Sequence, residues 1–184
     1  HKYYKINPDI AIFGKALGNG HAINAIIGKK EVMEWCNSSF VSSTFWTERV
    51  GPTAALATLE IMEKKKSWEI ISKAGKKIKK KWKQISQSNK IDIEIKGLDA
   101  IPNFTFNSKN HLVYKTYITQ EMLKKKYLAS NSIFCSISHN QDLLDRYFDI
   151  LNDLFFNISK FEKNNVPAEK ILETPVCLGG IRAK

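Results

Sequence analysis

The sequence predicts an α/β chain in which the end of a larger sheet is followed by a small α+β domain. Three observations carry this reading. Two short apolar stretches flank a glycine-rich connection, a long amphipathic helix follows, and a compact mixture of alternating strands and helices closes the chain. Hydrophobic residues make up 43% of the 184, enough for a packed core and too many for a disordered chain.

Taken in order, Asp9 to Phe13 is a short apolar run and Ala22 to Ile27 a β-branched-rich one, and both read as strands. Between them lies Gly14-Lys15-Ala16-Leu17-Gly18-Asn19-Gly20. Lys30 to Trp35 reads as a short helix, and Ser38 to Val50 is polar and aromatic without a period. Pro52 suits the first turn of a helix that runs to about Lys65. After a break near Ser67, Ile71, Ala74, Ile78, Trp82 and Ile85 recur at helical spacing to about Gln87. Ile91, Ile93 and Ile95 alternate as a half-buried strand should, as do Phe104 and Phe106. Thr119 to Lys126 reads as a helix and Ser132 to Ile137 as a strand. Asn140 is placed to cap a closing helix whose buried stripe is Leu144, Phe148, Leu151, Phe155 and Ile158, with His139 assisting the cap. Pro167 to Lys184 reads as an irregular tail.

The resulting division is 1–87 as the end of a large domain with its connecting helix, and 88–184 as a small carboxyl-terminal domain and tail. The first part has too few strands to stand as a sheet of its own. The chain opens on His1 rather than Met, so its start is read as truncated.

Lys+Arg 29 against Asp+Glu 18 gives a net charge of +11. Much of the excess lies in Lys64–Lys66, in the stretch from Lys73 to Lys83 and in Lys124–Lys126, where lysines fill the faces that an amphipathic helix leaves to solvent. Lysine outweighs arginine and no nucleic-acid-binding signature accompanies it, so nucleic acid is the weaker reading. No apolar run reaches the roughly 18 to 20 residues that span a bilayer. Cys36, Cys135 and Cys177 lie far apart without metal-ligand spacing; they read as buried free thiols in a reducing compartment, the cytoplasm, with no metal site.

The chemistry sits at Lys15. A lysine between an apolar strand and a glycine-rich turn can be held in a cleft, where desolvation disfavours the ammonium and yields the reactive amine that imine formation with an aldehyde requires. Asp9, Ile10, Ala11, Gly14, Lys15, Asn19 and Gly20 fill every specified place of a pattern: Asp, an apolar pair, two free positions, a small residue, Lys, three free positions and two small residues. In this the segment resembles the lysine half of the class III aminotransferase signature. Ser43 to Pro52 is similar to that family's second phosphate-binding element, with Thr47 in the place of its threonine and Thr44 as the alternative. Ala129 to Phe134, Ser138-His139 and the tail Val176-Cys177-Leu178-Gly179-Gly180 resemble the glutamate-1-semialdehyde aminomutase branch.

The resemblance implies the carboxyl-terminal portion of a fold type I pyridoxal-phosphate enzyme. Lys15 would be the Schiff-base lysine and Thr47 a donor to the cofactor phosphate, across a homodimer interface. The reaction implied moves an amino group onto or within a carbonyl substrate, as a transaminase or an aminomutase, from a small-molecule amino donor. The family's remaining cofactor residues fall before His1, so this chain alone is expected to be inactive. His21 and Trp46 are open between site and structural roles, and Arg49 and Arg182 have nothing in their spacing to single them out. The rival class is a non-catalytic basic domain that binds an acidic partner or nucleic acid.

Overall fold

The computed structural model describes His1 and residues 3–179. Gly180 of the tail motif and Arg182 lie outside the described residues. The chain divides into two compact units, His1–Ser67 and Trp68–Lys184.

In the first unit β1 (Ile10–Phe13) pairs antiparallel with β2 (Ala25–Gly28), with Ile10 opposite Gly28 and Phe13 opposite Ala25. A 3-10 turn, Lys15–Leu17, lies in the connection between them. The expected short helix forms as α1 (Lys30–Met33), which tightens into a 3-10 turn over Glu34–Ser38. The segment to Arg49 is irregular, and α2 (Val50–Lys65) follows, ended by Lys66 in the left-handed conformation. Ile10, Ile12 and Phe13 of β1 and Ile26 and Ile27 of β2 are all exposed, so this pair of strands carries apolar surface on both faces.

The second unit holds the main core. Helix α3 (Ser67–Ser88) contributes Ile78, Trp82 and Ile85 to it, all buried. The two compact units meet at Ser67 and Trp68, so nearly all of this helix lies in the second. β3 (Ile93–Lys96) pairs antiparallel with β4 (Asn103–Phe106), and the latter points Phe104 and Phe106 inward. The Trp82 ring meets Phe104 edge-on with centroids 4.8 Å apart, and Trp82 Nε1 donates to the Tyr147 hydroxyl at 3.0 Å. Burying the indole is tolerable because its one donor has that partner.

Helix α5 (Gln141–Lys163) buries Leu144, Phe148, Leu151, Phe155 and Ile158, the expected stripe. Asn140 caps it, its Oδ1 accepting from the Leu143 amide at 2.9 Å. His139 takes a different part: its Nδ1 accepts from the Ser136 amide at 3.1 Å, which closes the turn before the helix.

Two expectations fail for identifiable reasons. Helix α4 (His111–Lys124) starts eight residues before the expected Thr119. Its first eight residues include Val113, Thr116 and Ile118, whose low helix propensity is overridden by burial of Tyr114, Tyr117 and Ile118. Ser132 to Ile137 does not form a strand; it makes one isolated bridge, Ser132 to Asn103. It runs beside residues 100–104, with Ile133 N donating to Pro102 O at 3.1 Å and Cys135 N to Ala100 O at 2.9 Å. Pro102 has no amide to donate back, so a continuous ladder cannot form.

The thiols also differ from expectation: Cys36 is exposed, and Cys135 and Cys177 are half-buried. Among the described residues no helix is long and apolar enough to cross a membrane, and no cluster of His, Cys, Asp and Glu could hold a metal ion.

Candidate active site

The first unit is built around the connection that carries Lys15. β1 ends at Phe13, Gly14 is extended, and Lys15 enters the 3-10 turn at φ 51°. That left-handed conformation costs a residue with a Cβ about 1–2 kcal/mol. The turn is held by Leu17 N donating to Gly14 O at 3.1 Å and Gly18 N to Lys15 O at 3.2 Å. The chain then doubles back so closely that a Cβ on Gly18 would lie 2.1 Å from the carbonyl oxygen of His21. Glycine at that position is what lets His21 return to the side of Lys15.

Lys15 and His21 share a cavity of about 640 Å³ with Asn24, the hydroxyls of Ser42 and Ser43, and the rings of Phe45 and Trp46. Glu48 also lines it. The Lys15 side chain is exposed there, not desolvated as its reading from sequence required. The set offers a primary amine, hydroxyl and imidazole groups for hydrogen bonding, and aromatic surface, which suits a small planar aldehyde.

Glu48 is fixed by the backbone. One carboxylate oxygen accepts from Val50 N at 2.7 Å and the other from Gly51 N at 3.0 Å. These bonds to the start of α2, the Gly51 amide foremost, hold its carboxyl below the usual glutamate range. Asp9, the first residue of the lysine motif, is likewise engaged: the Lys29 ammonium donates to its carboxylate at 2.5 Å and lowers its pKa.

Thr47 lies in the turn 44–47, exposed, and is not among the residues that line the Lys15 cavity. Thr44 in the same turn is not either. Trp46, open between two roles in the sequence, lines the cavity while remaining 67% exposed. Arg49 precedes the first residue of α2. Ser43 and Glu48 are not singled out by the sequence because they come from a segment without periodicity, and Asn24 because it lies in a stretch read only as a strand. The one available signal was Glu48 standing just ahead of a helix start, where carboxylates are favoured.

A larger cavity of about 690 Å³ lies in the second unit beside Thr116, Thr119, Lys124 and Cys177. Two lysines line it, Lys115 and Lys124, and the latter is paired, its Nζ 2.8 Å from Glu121 and 2.6 Å from Glu173.

The family model described as Aminotransferase class-III matches residues 1–127. Among characterised relatives, a 3-aminobutyryl-CoA aminotransferase of Cloacimonas acidaminovorans (strain Evry) is 27% identical over 93% of this chain and 40% of its own length. A glutamate-1-semialdehyde 2,1-aminomutase of Methanosphaera stadtmanae is 28% identical over 88% of this chain and 41% of its own. The chain thus spans about two fifths of the length of the curated relatives it matches. Among solved structures, the FumI protein of Sphingopyxis sp. MTA144, in its PLP internal aldimine form, superposes with a TM-score of 0.80 at 20% identity, over 93% of this chain and 42% of that one. An S-selective transaminase from Arthrobacter sp. with alanine bound gives 0.73 at 18% identity, over 88% and 41%. At those identities the likeness is one of fold, and the fold is that of the transaminases. By the match over residues 1–127, this chain belongs to the class-III aminotransferase family.

Proposed function

We propose that this chain supplies the lysine-bearing part of a pyridoxal-phosphate-dependent enzyme that moves an amino group onto or within a carbonyl substrate. The observation that carries the reading is Lys15: it stands in the family's motif and opens into a cavity with His21, Asn24, Ser43 and two aromatic rings. When bound, pyridoxal phosphate supplies an aldehyde that takes up amino groups and a ring that accepts electrons from the reacting carbon. Lys15 Nζ would hold that aldehyde covalently, and once displaced by an incoming amine it would carry a proton to and from the substrate carbon. That role needs a neutral amine.

Thr47 is read as a hydroxyl donor to the cofactor phosphate, with Thr44 as the alternative. Its absence from the lining of its own chain's Lys15 cavity favours service to a second subunit. The surrounding aromatics, Trp35, Phe40, Phe45 and Trp46, are all strongly exposed, Phe40 at 96%, which suits a homodimer interface. We read residues 1–87 as the end of the cofactor-binding large domain with its connecting helix, and 88–184 as the small domain and tail. The three free thiols favour the cytoplasm. An amino donor and a carbonyl acceptor are the small-molecule partners; 3-aminobutyryl-CoA-type transamination and semialdehyde-type amino transposition are the two chemistries the relatives offer.

The test is reductive trapping. The gene product carrying this chain is incubated with pyridoxal phosphate, reduced with borohydride and mapped by peptide mass. The label belongs on Lys15, and a label confined to other lysines refutes the reading.

A further inference from the structure

We infer that Glu48 is a positioning residue for the Lys15 site: its carboxylate locks the aromatic wall of the cavity and the His21 segment onto the start of α2. The inference rests on the assignment of Lys15 as the cofactor lysine.

Glu48 is a junction in three directions. Its amide donates to Phe45 O at 3.2 Å and closes the turn that presents Phe45 and Trp46 to the cavity. Its carboxylate accepts from Val50 N at 2.7 Å and Gly51 N at 3.0 Å, satisfying two amides at the start of α2 that lack helical partners. Gly51, thus held, is buried against the residues that follow His21. A Cβ at Gly51 would lie 2.8 Å from Ala22 O and 3.2 Å from Ile23 Cβ, so the helix start and the His21–Ile23 strip touch backbone to backbone. Through one side chain the wall of the cavity and its His21 side are tied to the same helix end.

The alternative is that Glu48 only starts a helix. A start-of-helix effect has a built-in comparison, because Thr53 Oγ1 donates to Arg49 O at 2.8 Å in the same turn and touches no part of the cavity. Losing either side chain weakens the helix start, but only losing Glu48 frees the wall.

The experiment uses the gene product with Glu48→Ala, Glu48→Gln and Thr53→Ala. Two quantities are measured: the rate of tryptic cleavage after Arg49, and the dissociation constant for pyridoxal phosphate. A carboxylate bonded to two backbone amides should matter by about tenfold. Glu48→Ala is expected to speed the cleavage and weaken the cofactor by about that factor, and Glu48→Gln, which keeps one acceptor, by less. Thr53→Ala should speed cleavage modestly and leave cofactor affinity at the parental value. If Thr53→Ala and Glu48→Ala weaken the cofactor equally, or if Glu48→Ala changes neither quantity, the positioning role is overturned. If the parental protein attaches no cofactor at Lys15, the functional reading fails instead. The cleavage comparison then still decides whether Glu48 fixes this wall, and equal cleavage of parent and Glu48→Ala overturns it.

Discussion

The Lys29 ammonium reaches back to the Asp9 carboxylate at 2.5 Å, while Lys29 N donates to Asp9 O at 3.0 Å. The two residues flank the paired strands β1 and β2 on one side, and the Lys15 turn lies on the other. The first residue of the lysine motif therefore clamps the hairpin-like pair that presents the lysine. It takes no part in the Lys15 cavity.

This clamp has a pH signature. The Lys29 hydrogen bond lowers the folded pKa of Asp9 below that of the unfolded chain. Its stabilisation is therefore complete above the unfolded aspartate value and is lost as pH falls through the lower folded value. Titration of the Asp9 carboxyl by NMR should show a midpoint below the ordinary aspartate range, and Lys29→Met should return it there. An ordinary midpoint in the parent would show that the pair is not formed in solution.

The second unit offers a stability test. Tyr147→Phe removes the acceptor for Trp82 Nε1 and leaves a buried indole donor without a partner. The cost should be about 1–3 kcal/mol in denaturant unfolding. A change near zero would mean that water or another group reaches the indole.

A third prediction concerns Thr47. Lys15→Ala and Thr47→Ala subunits, mixed to form a heterodimer, leave one site with Lys15 intact. If Thr47 serves the partner's cofactor, that site receives its hydroxyl from the Lys15→Ala chain and regains near-parental affinity. If Thr47 serves its own chain, the site stays weaker by about tenfold, the worth of one hydrogen bond to a charged group. A site that stays weak would sink the shared-site reading and leave Lys15 untouched.

What could be read from the sequence follows from how each feature is encoded. The α5 stripe and its Asn140 cap depend on spacing within one segment, and both form as expected. The start of α4 depends on burial of Tyr114, Tyr117 and Ile118 outweighing β-branched neighbours, and local propensity points the other way. The missing strand after Asn131 depends on Pro102, nearly thirty residues earlier in the chain, so no pattern within the segment reveals it. The assignment of α3 to the second unit likewise depends on which residues its stripe meets. At the candidate site, Lys15 is legible because its motif is contiguous. Its neighbours Asn24, Ser43 and Glu48 converge from a strand approach, an irregular loop and a helix start, and only folding brings them together.

The central claim is that the Lys15 amine is the point of cofactor attachment. The direct measurement is borohydride-trapped pyridoxal phosphate on the gene product with Lys15→Ala, compared with the parent at equal protein and with the fold checked by circular dichroism. The account predicts that the parent carries label on the Lys15 peptide and that Lys15→Ala, still folded, carries none above the reagent background. Stoichiometric label retained by folded Lys15→Ala would contradict it.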